Sequence, residues 1–283
     1  MSAFLSGWVP SPLPPAAPQG RVVPTFLPLA PVSSGTSGPS GTSGTSDTSD
    51  TFGASMKNPI GIGDASENDT NPNTDWRLAR ARGCEFGIVR ATTTGVWVLG
   101  KPQIREDTMF PANVRNMASA GVKRMSYAWF DPRCKLCPPV DQADSFLASS
   151  QKYGVSELGP MIDLEDTVGI NAFIGIGQYI KAWLDLVEAE LKVKPRIYSN
   201  LSYVQNYLFN ASIREPWLNQ YGLVIANWAL LAPYVPQPWA PTAWDVWQYT
   251  ASAPGAYYGF PSAIAGKAAP SICLAVWNGA LPG

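Results

Sequence analysis

From Asn58 onward, short apolar runs alternate with stretches whose apolar residues recur every three or four positions, the pattern of βα units and a parallel sheet. Strands are predicted over Ile60–Asp64, Phe86–Ala91, Lys123–Phe130, Pro160–Glu165 and Arg196–Ser199, with helices over Asp75–Arg82, Pro111–Ala120 and Asp141–Tyr153 between them. The clearest helix follows Asn171, the expected N-cap: Phe173, Ile176, Ile180, Trp183, Val187 and Leu191 form one apolar stripe, and Pro195 ends it. Val224–Trp228, Trp244–Tyr249 and Ile272–Trp277 supply three more strands with little helix between them. About eight strands in this length suit a single α/β barrel, irregular in its last third.

Upstream the pattern is different. Residues 1–31 carry seven prolines before Pro31 and one charge, Arg21, which favours extended or polyproline segments over a packed core. Residues 32–55 hold a Gly/Ser/Thr linker that cannot bury apolar surface. The expected organisation is therefore an arm (1–31), a linker (32–55) and one globular domain (56–283). Phe4, Leu5, Trp8, Phe26 and Leu27 offer the arm as a docking peptide for a larger assembly, beside the plainer reading of a tail with no fold. Neither a basic, apolar secretion signal nor a run of ~18 apolar residues is visible, so the reading is of a chain made in the cytoplasm with no membrane span.

Composition narrows the chemistry. A net charge of −1 with 14% charged residues gives no footprint for nucleic acid. The absence of histidine removes the commonest general base and every Ser-His-Asp arrangement. Of four cysteines, Cys134 and Cys137 alone form a C-x-x-C pair, which without a second pair reads as loop thiols or a local disulfide; no metal or cofactor is expected. Acid–base work thus falls to Asp and Glu. Two predicted strands end in acids, at Asp64 and at Asp163-Leu-Glu165. Residues two apart on a strand share a face, so Asp163 and Glu165 both point inward while Leu164 points away. Paired carboxylates flanking an acetal are what glycoside hydrolysis needs. Alone, an Asp-x-Glu is common, and a surface strand end is an equally simple reading.

Read together, the segments Gly61-Ile-Gly-Asp-Ala-Ser66, Asp75-Trp76, Phe86-Gly-Ile-Val-Arg-Ala91, Ala118-Ser-Ala-Gly-Val122, Tyr127-Ala-Trp-Phe130, Met161-Ile-Asp-Leu-Glu165, Arg196-Ile-Tyr-Ser199, Ile225-Ala-Asn-Trp228 and Trp247-Gln-Tyr-Thr250 resemble, in order, the lysozymes of glycoside hydrolase family 25. The resemblance implies an irregular TIM-like (β/α)5(β)3 barrel and hydrolysis of the β-1,4 bond between N-acetylmuramic acid and N-acetylglucosamine in peptidoglycan. It makes Glu165 the general acid, Asp163 the stabilising carboxylate and Asp64 the acid of the cleft floor, with Tyr127, Tyr198, Trp228 and Trp247 at substrate-binding aromatic positions. The substrate's acetamido group then acts as internal nucleophile. It also points to a phage lysin acting on the cell wall, tethered to a virion or assembly partner through the arm. Two departures stand out: Ile272-Cys-Leu-Ala275 places Cys273 where the family has an Asp, and Thr92-Thr-Thr-Gly95 lacks the family's Glu. The loss of that Asp favours the alternative of a carbohydrate-binding or structural virion protein with weakened catalysis, and retention of Asp64, Asp163 and Glu165 favours the lysin. A chitinase-like barrel also uses Asp-x-Glu, but needs further acids upstream where this chain has Leu158-Gly-Pro160.

Overall fold

The structure is a computed structural model that describes residues 58–98, 101–133, 135–170, 175–228, 231–261, 263–264, 267–268 and 271–282. The arm, the linker, Asn171, Phe173 and Cys134 lie outside the described residues, and with them the expected N-cap and the C-x-x-C pair. In chain order the strands are β1 Ile60–Ala65, β2 Cys84–Val98, β3 Lys101–Glu106, β4 Lys123–Trp129, β5 Pro160–Leu164, β6 Arg196–Asn200, β7 Gly222–Ala226, β8 Val246–Pro254, β9 Ala263–Ile264, β10 Lys267–Ala268 and β11 Ser271–Trp277. The main helices are α1 Trp76–Ala81, α2 Phe110–Ala120, α3 Pro139–Tyr153 and α4 Ile176–Leu191.

Eight strands close on themselves in the order β1, β11, β8, β7, β6, β5, β4, β2, the ring being sealed by pairing of β1 with β2. All neighbours are parallel except β11, which runs antiparallel to both β8 and β1. The sequence pattern implied βα units and a parallel sheet with an irregular last third, and the irregularity is this reversed strand. The reversal has a simple cause: a parallel return needs a long crossover, usually helical, and the described residues between β8 and β11 form a short 3-10 turn and the paired strands β9 and β10. The fifth βα unit is similarly reduced to helical turns over Leu201–Leu208.

Strand alternation divides the core into two layers. Phe86, Ile88, Met125, Met161, Val224 and Val246 fill the barrel interior. Residues one position off, among them Ile62, Val89, Ile162, Leu164, Ile197 and Ile225, face the helices, where Trp183 of α4 packs on Phe146 of α3 with ring centroids 5.3 Å apart. Helix α4 buries Ile176, Ile180, Trp183 and Val187 of the stripe read from the sequence, together with Leu184, while Leu191 of that stripe is half-buried. At the floor, Trp277 meets Phe86 edge to face and carries the Arg196 guanidinium 4.9 Å from its ring centroid. Arg196 is fixed by Asp245 at 2.7 Å and by the Leu158 carbonyl.

Strand β2 exceeds its predicted length. Its first half pairs with β4 from Phe86 to Thr92, and its second half leaves the barrel and pairs with β3 from Thr92 to Val98. The outcome is a hairpin continuing from the C-terminal end of a barrel strand, the end at which active residues of such barrels gather.

Candidate active site

The carboxylates meet where β1 and β5 end. On β5, Asp163 is 6% exposed and Leu164 lies in the outer layer, so the inward pair Asp163 and Glu165 expected from strand alternation is formed. Strand β1 requires a distortion to contribute. Ile62 faces outward, and strict alternation would send Asp64 outward with it. Three steps along β1, from Ile62 to Ala65, oppose only two along β2, from Gly87 to Val89. This bulge re-aims the chain, and Gly63 and Asp64 line the same recess as Tyr127, Met161, Asp163, Glu165 and Tyr198. The enclosed space among them is about 20 Å³, enough for a water, so a sugar would lie across its mouth.

Hydrogen bonds fix the aromatic members. Tyr127 donates to Asp64 Oδ1 at 2.6 Å, and Tyr198 donates to Gln248 Oε1 at 2.8 Å. The Tyr198 hydroxyl is 3.5 Å from Glu165 Oε2; with a single proton already committed to Gln248, it leaves Glu165 lightly held. Asp163 Oδ1 is buried and has no protein hydrogen-bond partner, although it lines the recess. A buried acceptor without a partner is costly, and such atoms mark places where a ligand completes the network.

Burial dominates the electrostatics. Asp64 is pushed up to about 7 by desolvation, then by the charge of Asp69, against the opposing Tyr127 hydrogen bond and Arg90. Asp163 is raised well above the usual carboxylate range by desolvation, then by Glu165 and Asp64. Glu165 is raised by desolvation, with the Tyr198 hydroxyl working against it. Three carboxylates in one desolvated recess cannot all ionise near neutral pH, so the cluster retains at least one proton for transfer. Cys273, on β11, belongs to this cluster: a Cβ built on Gly63 would lie 3.3 Å from its Cβ. Desolvation, then Asp64 and Asp69, push its thiol up to about 12, so it is neutral there.

The remaining expected residues are placed differently. Trp228 stands just beyond the C-terminal end of β7, 56% exposed. Trp247 lies between the inward residues Val246 and Gln248, packs on Trp244 and Tyr249, and donates from Nε1 to the Asn227 carbonyl at 2.7 Å. The structure thus brings Tyr127 and Tyr198 to the carboxylates and leaves Trp228 and Trp247 outside the recess. Three participants escaped the sequence reading: Asp69, Gln248 and the buried Arg90. Strand parity could have found Arg90, since Phe86 and Ile88 already point inward. Nothing in the sequence pointed to Asp69, which is brought in by the turn after β1, where Ser66 donates to it at 2.9 Å. A larger recess of about 460 Å³ lies apart from this chemistry, between β3 and the loop leading into α3, lined by Gln103, Ile104, Lys135, Leu136 and Asp141 among others. Among the described residues no cluster of His, Cys, Asp and Glu is arranged to hold a metal ion, and no helix is long and apolar enough to cross a membrane.

A closed α/β barrel whose strand ends converge buried carboxylates, with proton chemistry left to Asp and Glu, is the build of a glycoside hydrolase. The model of the glycosyl hydrolases family 25 matches residues 64–256, and the chain belongs to that family. Solved structures with the same fold include the bacterial lysozyme from Streptomyces coelicolor (20% identity, TM-score 0.60, 79% of this chain and 94% of that one). A family GH25 lysozyme from Aspergillus fumigatus is 17% identical, with a TM-score of 0.59 over 80% of this chain and 96% of that one. The catalytic domain of endolysin ply40 from bacteriophage P40 of Listeria monocytogenes is 13% identical, with a TM-score of 0.54 over 80% and 95%. No curated protein matches.

Proposed function

We propose that this chain is an N-acetylmuramidase that cuts the β-1,4 bond of peptidoglycan between N-acetylmuramic acid and N-acetylglucosamine, with Glu165 as general acid and Asp163 as the stabilising carboxylate. The observation that carries the reading is the convergence of Asp64, Asp163 and Glu165 in one recess, together with the unpartnered Oδ1 of Asp163. Glu165 is the most accessible carboxyl of the β5 pair and the one most loosely held, as a group that must hand its proton to a leaving oxygen should be. Asp163 is sequestered, and its free oxygen suits the N–H of a substrate acetamido group. Orienting that group toward the anomeric carbon lets the substrate's own carbonyl oxygen displace the leaving sugar, while the carboxylate stabilises the positive charge that develops. Tyr127 holds Asp64 in place at the floor.

The same reading makes the chain a phage lysin in which residues 1–55 tether the barrel to a virion or assembly partner; the shared fold with a phage endolysin supports it. Cys273 in place of the family's last-strand acid supports a second reading, a barrel that binds glycan and cuts it slowly. One experiment separates them: digestion of purified peptidoglycan by the full chain, with mass analysis of the new reducing ends. N-acetylmuramic acid ends are expected from the wild type, and their loss with retained glycan binding from Glu165→Gln, which removes only the transferable proton. N-acetylglucosamine ends, or equal release by Glu165→Gln, would overturn the assignment.

A further inference from the structure

Arg90 continues the interior column of β2 above Phe86 and Ile88 and is 6% exposed. On one side of β2 its register partner is Tyr127 of β4, and on the other β2 pairs with β1, which carries Asp64. The guanidinium is gripped from outside the recess. Its Nε donates to Asp107 at 2.8 Å, an acid with 0% exposure, and its Nη2 donates to Glu67 at 3.2 Å. Glu67 is itself clamped by Arg105 of β3 and by the Thr108 hydroxyl at 2.8 Å, and its backbone N–H donates to Asp107 at 3.1 Å. Among the described residues the other buried cation is Arg124, which is spent on the carbonyls of Tyr153, Gly154 and Val155. The acidic recess therefore has one buried positive charge beside it, and that charge is locked in direction by groups that do not line the recess.

We propose that Arg90 is the counter-charge of the Asp64–Asp163 pair, and that the Glu67–Arg105–Asp107 clasp is the positioning device that holds it there. The groups facing Arg90 are Asp64 and Asp69 from β1 and its turn, Glu67 from the same turn, Arg105 from β3, Asp107 ahead of α2, Tyr127 from β4 and Asp163 from β5. Arg90 opposes the upward pressure on Asp64 and Asp163, whereas the leading influences on Glu165 are desolvation, the Tyr198 hydroxyl and Asp166. The two limbs of a pH–rate profile should thus respond differently to its removal. Losing Arg90 makes the carboxylate that must be ionised harder to ionise, which moves the acidic limb upward. The alkaline limb belongs to the Glu165 proton, which feels Arg90 only through the other carboxylates, and moves less.

The rate part of the test rests on the muramidase reading; a substrate-free measurement frees the rest. Three full-chain variants are needed. Arg90→Lys keeps a charge, Arg90→Met removes it, and Arg90→Met with Asp107→Asn removes the ion pair as a unit, so that no lone buried carboxylate unfolds the domain. The acidic limb should rise by about one pH unit in the Met single and double variants and by less than half of that in Arg90→Lys. Carboxyl-carbon NMR titration without substrate should place Asp64 and Asp163 higher in the same order. Fixed titrations, with a rate that falls equally at every pH, would reduce Arg90 to a structural residue and overturn the proposal. Should the wild type cut no glycan, the muramidase reading falls while the titrations still decide the role of Arg90.

Discussion

Asp64 and Cys273 show how single residues divide stability from chemistry. Asp64 is raised from 3.8 to about 7, so the folded chain holds a proton that the unfolded chain releases. Between those values folding takes up a proton, and stability falls as pH rises through the window. Asp64→Asn removes that loss, and its amide oxygen can still accept from Tyr127. A melting temperature unchanged at pH 4 and higher by about 3–6 °C at pH 8 is the expected outcome, with weakened hydrolysis. An equal shift at both pH values would show that the carboxyl is not desolvated in the fold. Cys273 poses the converse case, because a neutral thiol faces Asp64 and Asp69 where a carboxylate would add a charge. Cys273→Asp should raise the retained proton's affinity, move the alkaline limb upward and increase the rate, at some cost in stability at neutral pH. A lower melting point with an unmoved limb would remove Cys273 from the working cleft.

At the scale of elements, what was legible followed from strict periodicity and what was hidden came from its interruption. Alternation along β5 placed Asp163 and Glu165 inward without reference to any fold, and the apolar stripe of α4 fixed its buried face. The bulge in β1 was invisible because its signal is spread over two strands: a register mismatch with β2, and glycines that fit only after closure. A Cβ on Gly61 would lie 2.5 Å from the Phe86 ring, so the close approach of β1 to the interior depends on a residue that shows no periodicity. The second half of β2 was lost for another reason. The predicted strand stops at Ala91, where the apolar run ends, yet the three threonines that follow pair with Arg105 and its neighbours, and Thr94 donates to the buried Asp131 at 2.9 Å. Pairing of this kind depends on a distant partner strand and leaves no apolar signature in the sequence. The Arg90 clasp was unreadable on the same ground, since Arg90, Glu67 and the Arg105–Asp107 stretch lie on three separate segments brought together by the hairpin.

For the molecule as a whole, the question is how much of the chain the barrel needs. The family match starts at Asp64, the first barrel strand at Ile60 and the last ends at Trp277. The ends of this stretch are tied to each other: Gly279 N–H donates to Asn58 Oδ1 at 3.3 Å, and Trp277 N–H donates to the Pro59 carbonyl at 2.9 Å. Closure of β1 against β11 therefore uses residues from Asn58 onward; before them the prolines of 1–31 disfavour a packed core and the Gly/Ser/Thr composition of 32–55 offers it little apolar surface. A chain beginning at residue 56 should melt within about 2 °C of the full chain, a shift that corresponds to less than about 1 kcal/mol for a domain of this size. Its rate on soluble glycan fragments should also match. If residues 1–55 dock the barrel to a particle, co-sedimentation with that particle should be lost in the same variant, so that placement and hydrolysis separate. A fall of about 10 °C or more would instead show that residues before Asn58 pack on the barrel, and would move the domain boundary upstream.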